Sequence, residues 1–169
     1  MKQRICMSIK QHGLHGLLHS ATLIEAMARE QLAAVDILPR QAQVLAAINS
    51  MGEVSQIELA KTFGVSPASL STMTDRLLGI GLISRSVDPN ERRRNVLALT
   101  AKGQDKLDGI HAAWDTVDTR IEQALGADAA AFFALSRRLR DALGGQVPGL
   151  QPEQDLTTDS PASPGEPPN

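Results

Sequence analysis

The side chains best suited to chemistry fall in two short stretches. In Val65-Ser66-Pro67-Ala68-Ser69-Leu70-Ser71-Thr72-Met73-Thr74-Asp75-Arg76-Leu77, the short hydroxyls Ser66, Ser69, Ser71 and Thr72 accompany one cation, Arg76. In Asp88-Pro89-Asn90-Glu91-Arg92-Arg93-Arg94, Asn90 precedes three consecutive arginines, Arg92, Arg93 and Arg94. Hydroxyls that allow close approach, together with guanidiniums that fork onto oxyanions, form a surface for a charged ligand. Catalysis has no comparable support. The chain contains no Gly-x-Ser-x-Gly elbow, no phosphate-cradling glycine loop and no His-Glu-x-x-His helix, so an enzyme is not expected.

Positioning those side chains requires a particular set of elements. Ser66 is a good N-cap and Pro67 suits the first helical position, where its missing N–H costs nothing, so a helix should run from here to about Ile80. Leu70, Met73 and Leu77 recur at helical spacing and would face a core, leaving Ser69, Ser71, Thr72 and Arg76 outside. Upstream, Ser55-Gln56-Ile57-Glu58 fits a capping box and Val54 with Leu59 a hydrophobic staple, which predicts a helix over about 55–62 ended by Gly64. Two helices joined by a short glycine-containing turn, the second polar outside, are the helix-turn-helix pattern that lays a recognition helix in the DNA major groove. After Gly81 come two apolar runs, Leu82–Val87 and Asn95–Leu99, separated by the arginine-rich segment. Pro89 and Asn90 predict a turn there, so the region reads as a β-hairpin wing with arginines near its tip.

These residues carry a resemblance. Glu58-Leu59-Ala60, Leu70-Ser71, Asp75-Arg76-Leu77, Gly81-Leu82-Ile83, Asp88-Pro89-Asn90-Glu91-Arg92-Arg93 and Leu99-Thr100-Ala101-Lys102-Gly103 together resemble the MarR family of bacterial regulators, over roughly residues 10 to 143. The resemblance implies a mainly α fold with a small β-hairpin wing, a winged helix-turn-helix with long N- and C-terminal dimerisation helices. The implied domain covers 1–145, with a DNA-binding core at about 54–103 and dimerisation helices at about 7–35 and 101–143. The implied function is that of a homodimeric, sequence-specific transcription regulator on double-stranded DNA with a pseudo-palindromic operator. Its commonest arrangement is repression relieved by a small-molecule or stress signal. Each recognition helix would enter a major groove, with Ser66, Ser69, Ser71, Thr72 and Arg76 on phosphates or base edges, and each wing a flanking minor groove. Many members carry arginine two positions after the first aspartate of the wing; here that position is Asn90, which makes Arg92 the first candidate for groove entry, with Arg93 and Arg94 beside it. Asp75 and Arg93 stand where the family often has an ion pair tying helix to wing, so they read as wing supports.

The remaining chain is compatible with this reading. The formal net charge is −2, but four of the 19 acids (Glu153, Asp155, Asp159, Glu166) lie in a tail without Lys or Arg, so all 17 bases face only 15 acids in the rest. DNA binding depends on local positive charge rather than on the total. Residues 146–169, with six prolines and almost no large apolar side chain, read as a disordered acidic tail. Leu14, Leu17, Leu18, Ala21, Ile24, Ala28, Leu32 and Val35 mark one long helix over 14–35, broken by Asp36 to Pro39 and followed by a helix over Gln41 to Asn49. Thr100 caps another, with Leu107, Ile110, Trp114, Val117, Ile121 and Leu125 in periodic positions; Gly126 interrupts it and a last helix runs from Ala127 to Leu143. The terminal helices have more apolar surface than a small body can cover, which calls for a partner chain. The lone Cys6 rules out an internal disulfide, and no apolar run approaches the ~20 residues of a membrane span, so a cytoplasmic location is expected.

Three further features invite a function. His12, His15 and His19 fall at i, i+3 and i+7, a pattern for metal binding or proton sensing that His111 could join across a dimer, but no Cys or carboxylate completes a ligand set, so no metal or other cofactor is expected. Cys6 lies ahead of the place where peroxide-sensing relatives carry their reactive cysteine, and the chain lacks the tyrosines they also use. Trp114 reads as a core or interface residue. The rival to a DNA-binding regulator is a winged-helix module that presents the same surfaces to a protein.

Overall fold

Residues 12–87 and 95–146 are described by a computed structural model, and their order is helical at both ends with a small sheet between. Helix α1 spans Gly13–Leu32, α2 Pro39–Met51, α3 Gln56–Phe63, α4 Pro67–Gly79, α5 Ala101–Leu125 and α6 Ala129–Ala142; strands are β1 Val54–Ser55, β2 Ile83–Val87 and β3 Asn95–Leu99. Short 3₁₀ turns at Ala33–Val35 and Gly126–Asp128 follow α1 and α5.

Two expectations about the first break are corrected. The first helix ends at Leu32 rather than Val35, because Asp36 adopts the left-handed conformation (φ 56°) and the Ile37 N–H turns back to the Leu32 carbonyl at 3.3 Å. This is the geometry glycine usually supplies, and aspartate is among the few other residues that tolerate it. Lys106 Nζ adds a bond to the Val35 carbonyl at 2.8 Å. Pro39, expected to separate two helices, instead begins α2: it occupies the first turn, and the Leu38 N–H donates to Gln41 Oε1 at 2.9 Å.

The helix-turn-helix forms as its caps dictate. The Ser55 N–H donates to Glu58 Oε2 at 3.0 Å while Ser55 Oγ accepts the Glu58 N–H at 3.2 Å, and Val54 and Leu59 are both buried. Such a cap contributes about 1 kcal/mol. Gly64 takes φ +60°, so the chain reverses after α3 while Val65 N–H reaches back to the Ala60 carbonyl at 3.0 Å. Across the pair, Gln56 Nε2 donates to Thr74 Oγ1 at 2.7 Å, and the fully buried Thr74 hydroxyl passes its own proton to the carbonyls of Leu70 and Ser71. A buried hydroxyl satisfied on both sides fixes how α4 lies on α3.

The hairpin belongs to a three-stranded antiparallel sheet of order β1-β3-β2, pairing Val54 with Leu97 and Arg85 with Leu97 from the other side. The third strand was not expected: it is two residues long, and one of them, Ser55, is also the N-cap of α3. At its base the sheet is held by Thr100, whose N–H donates to the Leu82 carbonyl at 3.1 Å and whose Oγ1 accepts the Gly103 N–H at 3.1 Å and donates to the Gly81 carbonyl at 2.8 Å. Gly103 lies so close to the Leu82 carbonyl that an added Cβ would overlap its oxygen.

Leu32, Leu45, Ile48, Leu59, Leu70, Leu77, Leu97 and Ile110 form the aliphatic core shared by α1 to α5 and the sheet. Burying each such side chain contributes about 1.5–3 kcal/mol. The ends of the chain differ. Leu14 is 66% exposed, Leu17 57% and Leu143 78%, and Leu18, Leu135 and Leu139 are likewise open to solvent.

Candidate nucleic-acid interface

Helix α4 starts where Ser66 Oγ accepts the Ser69 N–H at 3.2 Å, with Pro67 in its first turn. Leu70, Thr74 and Leu77 point into the core, which forces Ser69, Thr72 and Arg76 onto the exposed face. The five expected contact residues of this helix do not stand in equivalent positions. Ser66 is occupied as the cap; its Oγ also lies 2.9 Å from Ser69 Oγ. Ser71 is half-buried and donates to Asp75 Oδ2 at 3.3 Å. Thr72 returns its proton to the Ala68 carbonyl at 3.2 Å, leaving its oxygen as an acceptor and its methyl outward. Arg76 is exposed and its side chain has no hydrogen bond or ion pair among the described residues, so its full fork of donors is available to an anion.

Asp75 ties this helix to the wing, but through a residue the sequence reading passed over. Arg85, on β2, donates from Nη2 to Asp75 Oδ1 at 3.0 Å, and Ser71 completes a chain from helix to strand. The side chains remain 35% and 56% exposed, so the pair is worth at most ~1 kcal/mol to stability; its effect is on orientation. Arg93, the expected partner, lies outside the described residues, as do Asn90, Arg92, Arg94 and Cys6. No pattern in the sequence singles out Arg85: it stands opposite Leu97 on β2, the strand that contacts α4. Lys102 was also missed, and its Nζ donates to the Ile80 carbonyl at 2.8 Å, closing the C-terminal end of α4.

Within one chain the histidines do not come together. His12, His15 and His19 are exposed, with the rings of His15 and His19 6.3 Å apart, whereas His111 lies 5.9 Å from Trp114 on α5. Among the described residues no three His, Cys, Asp or Glu side chains stand where they could hold a metal ion. Trp114 packs against the core and lines a cavity of about 520 Å³ between α1, α2 and α5, with Ile24, Ala28, Arg40, Gln43 and Val117 among its walls. Among the described residues no helix is long and apolar enough to cross a membrane.

A capped helix-turn-helix, a three-stranded sheet whose last two strands project as a wing, and an exposed hydroxyl-and-guanidinium face define a winged helix-turn-helix protein. The chain belongs to the MarR family: the family's sequence model matches residues 37–94. The transcriptional regulator HosA of Escherichia coli O111:H- is 30% identical over 116 residues, which cover 68% of this chain and 86% of that protein. The multiple antibiotic resistance protein MarR of Salmonella typhimurium is 38% identical over 72 residues, 43% of this chain, and the match spans 50% of that relative's length. Among solved structures, a cysteine-to-serine mutant of MarR from E. coli complexed with operator DNA is similar with a TM-score of 0.68 at 27% identity, over 77% of this chain and 93% of that one.

Proposed function

We propose that this chain is a sequence-specific DNA-binding transcription regulator that acts as a homodimer. The observation that carries the reading is the exposed α4 face of Ser69, Thr72 and Arg76, locked to the wing by the Asp75–Arg85 pair. That face has the residue types that read base edges and grip phosphates, and the lock sets its angle to the wing. The likeness to a MarR structure complexed with operator DNA supports the same reading. The wing's arginines, with Arg92 first, would enter the minor groove, where narrow width concentrates negative potential. A dimer is supported by the open leucines of α1 and α6, which a second copy would cover. Repression relieved by a small molecule is the arrangement the family resemblance implies, and the Trp114-lined cavity between α1, α2 and α5 has the volume of a ligand pocket. Such a regulator would act in the cytoplasm.

Selecting bound sequences from a pool of random duplexes tests this. A two-fold regulator enriches a pseudo-palindrome whose half-sites are spaced by about a helical turn or a multiple of it. A pool with no enriched sequence contradicts the proposal and favours a winged-helix module that binds protein.

A further inference from the structure

A smaller hollow adjoins the recognition helix, and two arginines stand among its walls. It is a notch of about 190 Å³ between the start of α2 and the outer face of α4. Arg40 and Gln41 line it from α2, Ser69, Thr72 and Arg76 from α4, and Leu38 and Met73 give it an apolar floor. No carboxylate is among these walls. Of the described arginines, Arg29, Arg85, Arg120 and Arg140 each face an acid within 4 Å; Arg137 and Arg138 on α6 have no acid partner among the described residues, and neither do Arg76 and Arg40, the latter having only a 3.4 Å bond to the neutral amide of Gln43. Two arginines from two elements thus border one hollow whose walls hold no acid.

We propose that this notch seats one phosphodiester of the DNA backbone, with Arg40 supplying the second guanidinium beside Arg76. The inference rests on the DNA-binding reading above and extends it to a residue outside the helix-turn-helix and the wing. When α4 lies in a major groove, a flanking phosphate strand passes along its edge, where α2 begins. A tetrahedral oxyanion there meets forked donors from both sides. Ser69 can add a third donor, since Ser66 Oγ can give its proton to Ser69 Oγ 2.9 Å away and leave the Ser69 proton for the phosphate. The weak Arg40–Gln43 bond costs little to exchange, and because the contact is to backbone it adds affinity on every sequence equally.

The test uses the full chain and a random-sequence duplex, with affinity followed against salt. Arg40→Ala should flatten the slope of log affinity against log salt by about 0.9 per subunit, so that raising salt fourfold costs the native dimer roughly 12-fold more affinity than the variant. Arg40→Lys, a point charge at the same place, should restore most of the slope. Gln41→Glu gives a readout that folding cannot mimic. It keeps an acceptor for the Leu38 N–H and adds an acid to the first turn of α2, so the melting temperature should hold or rise. The same charge faces the phosphate, and affinity should fall. A native chain with an ordinary salt slope but an unchanged slope in Arg40→Ala, or undiminished binding by Gln41→Glu, overturns the notch alone; it would then take free anions or none. A native chain without salt-dependent DNA binding overturns both this inference and the reading beneath it.

Discussion

Gly103 offers a prediction in which sign as well as size is informative. In an exposed helix interior, replacing glycine by alanine gains up to ~1 kcal/mol, because alanine has the higher helix propensity. At position 103 the new Cβ would overlap the Leu82 carbonyl oxygen, a backbone atom that cannot swing aside like a side chain. That same oxygen accepts the Thr100 N–H at 3.1 Å, so moving it also weakens the cap of α5. Overpacking costs about 1–3 kcal/mol and a disturbed hydrogen bond about 1 kcal/mol more, against which the propensity gain is subtracted. The expected net loss is roughly 1–3 kcal/mol, or a melting temperature lower by roughly 3–10 °C for a chain of this size. Gly79→Ala is the control: nothing lies within 4 Å of its added Cβ, and it should match or exceed the native stability. Far-UV circular dichroism melts at one fixed protein concentration, which matters for a dimer, give both values. Leu82 leads directly into β2, so Gly103→Ala should also weaken operator binding at temperatures well below either melt. A Gly103→Ala protein as stable as Gly79→Ala would refute the close approach and the account of how the wing is attached.

The remaining predictions concern the joints around the recognition helix and the ends of the chain. In a double-mutant cycle, Asp75→Ala and Arg85→Ala should be strongly non-additive in operator affinity, while their coupling in stability stays below ~1 kcal/mol because the pair is exposed; additive affinity losses would remove the tie, and coupling to Arg93→Ala instead would move it. Thr74→Val should cost about 1–3 kcal/mol by stranding the Gln56 amide against an apolar wall, and a urea melt with an unchanged midpoint would show that α3 and α4 are fixed by other contacts. Truncating residues 1–20 removes the open leucines Leu14, Leu17 and Leu18, so sedimentation should show a weakened dimer; an unaltered dimer would reassign the seam.

The elements were legible in the sequence where local chemistry decides them. Ser55 with Glu58, Ser66 with Pro67, and Thr100 are caps whose hydrogen bonds reach only three residues, so the starts of α3, α4 and α5 could be read directly. Asp36 begins the break as expected, its left-handed conformation ending the 3₁₀ turn after α1 as glycine would, whereas Pro39 has a second use and opens α2 rather than keeping helices apart. Strand β1 could not be seen, since two residues make no period and its pairing partner, β3, is more than forty residues away. At the interface, the exposed face of α4 followed from its apolar positions. The partner of Asp75 did not, because charge at positions 85 and 93 satisfies the same requirement and only the sheet's register brings Arg85 to it. Arg40 and the Gln56–Thr74 bond depend on how α2 and α3 pack against α4, which no pattern within one element encodes.

The central claim is that this chain reads DNA through α4 and the wing, and the most direct measurement is fluorescence anisotropy of the full chain on a selected duplex and on a scrambled duplex across a salt series. The account predicts that the selected duplex binds at least ~10³-fold tighter and that log affinity falls linearly with log salt on both. Equal, weak and salt-independent binding to the two duplexes would contradict it.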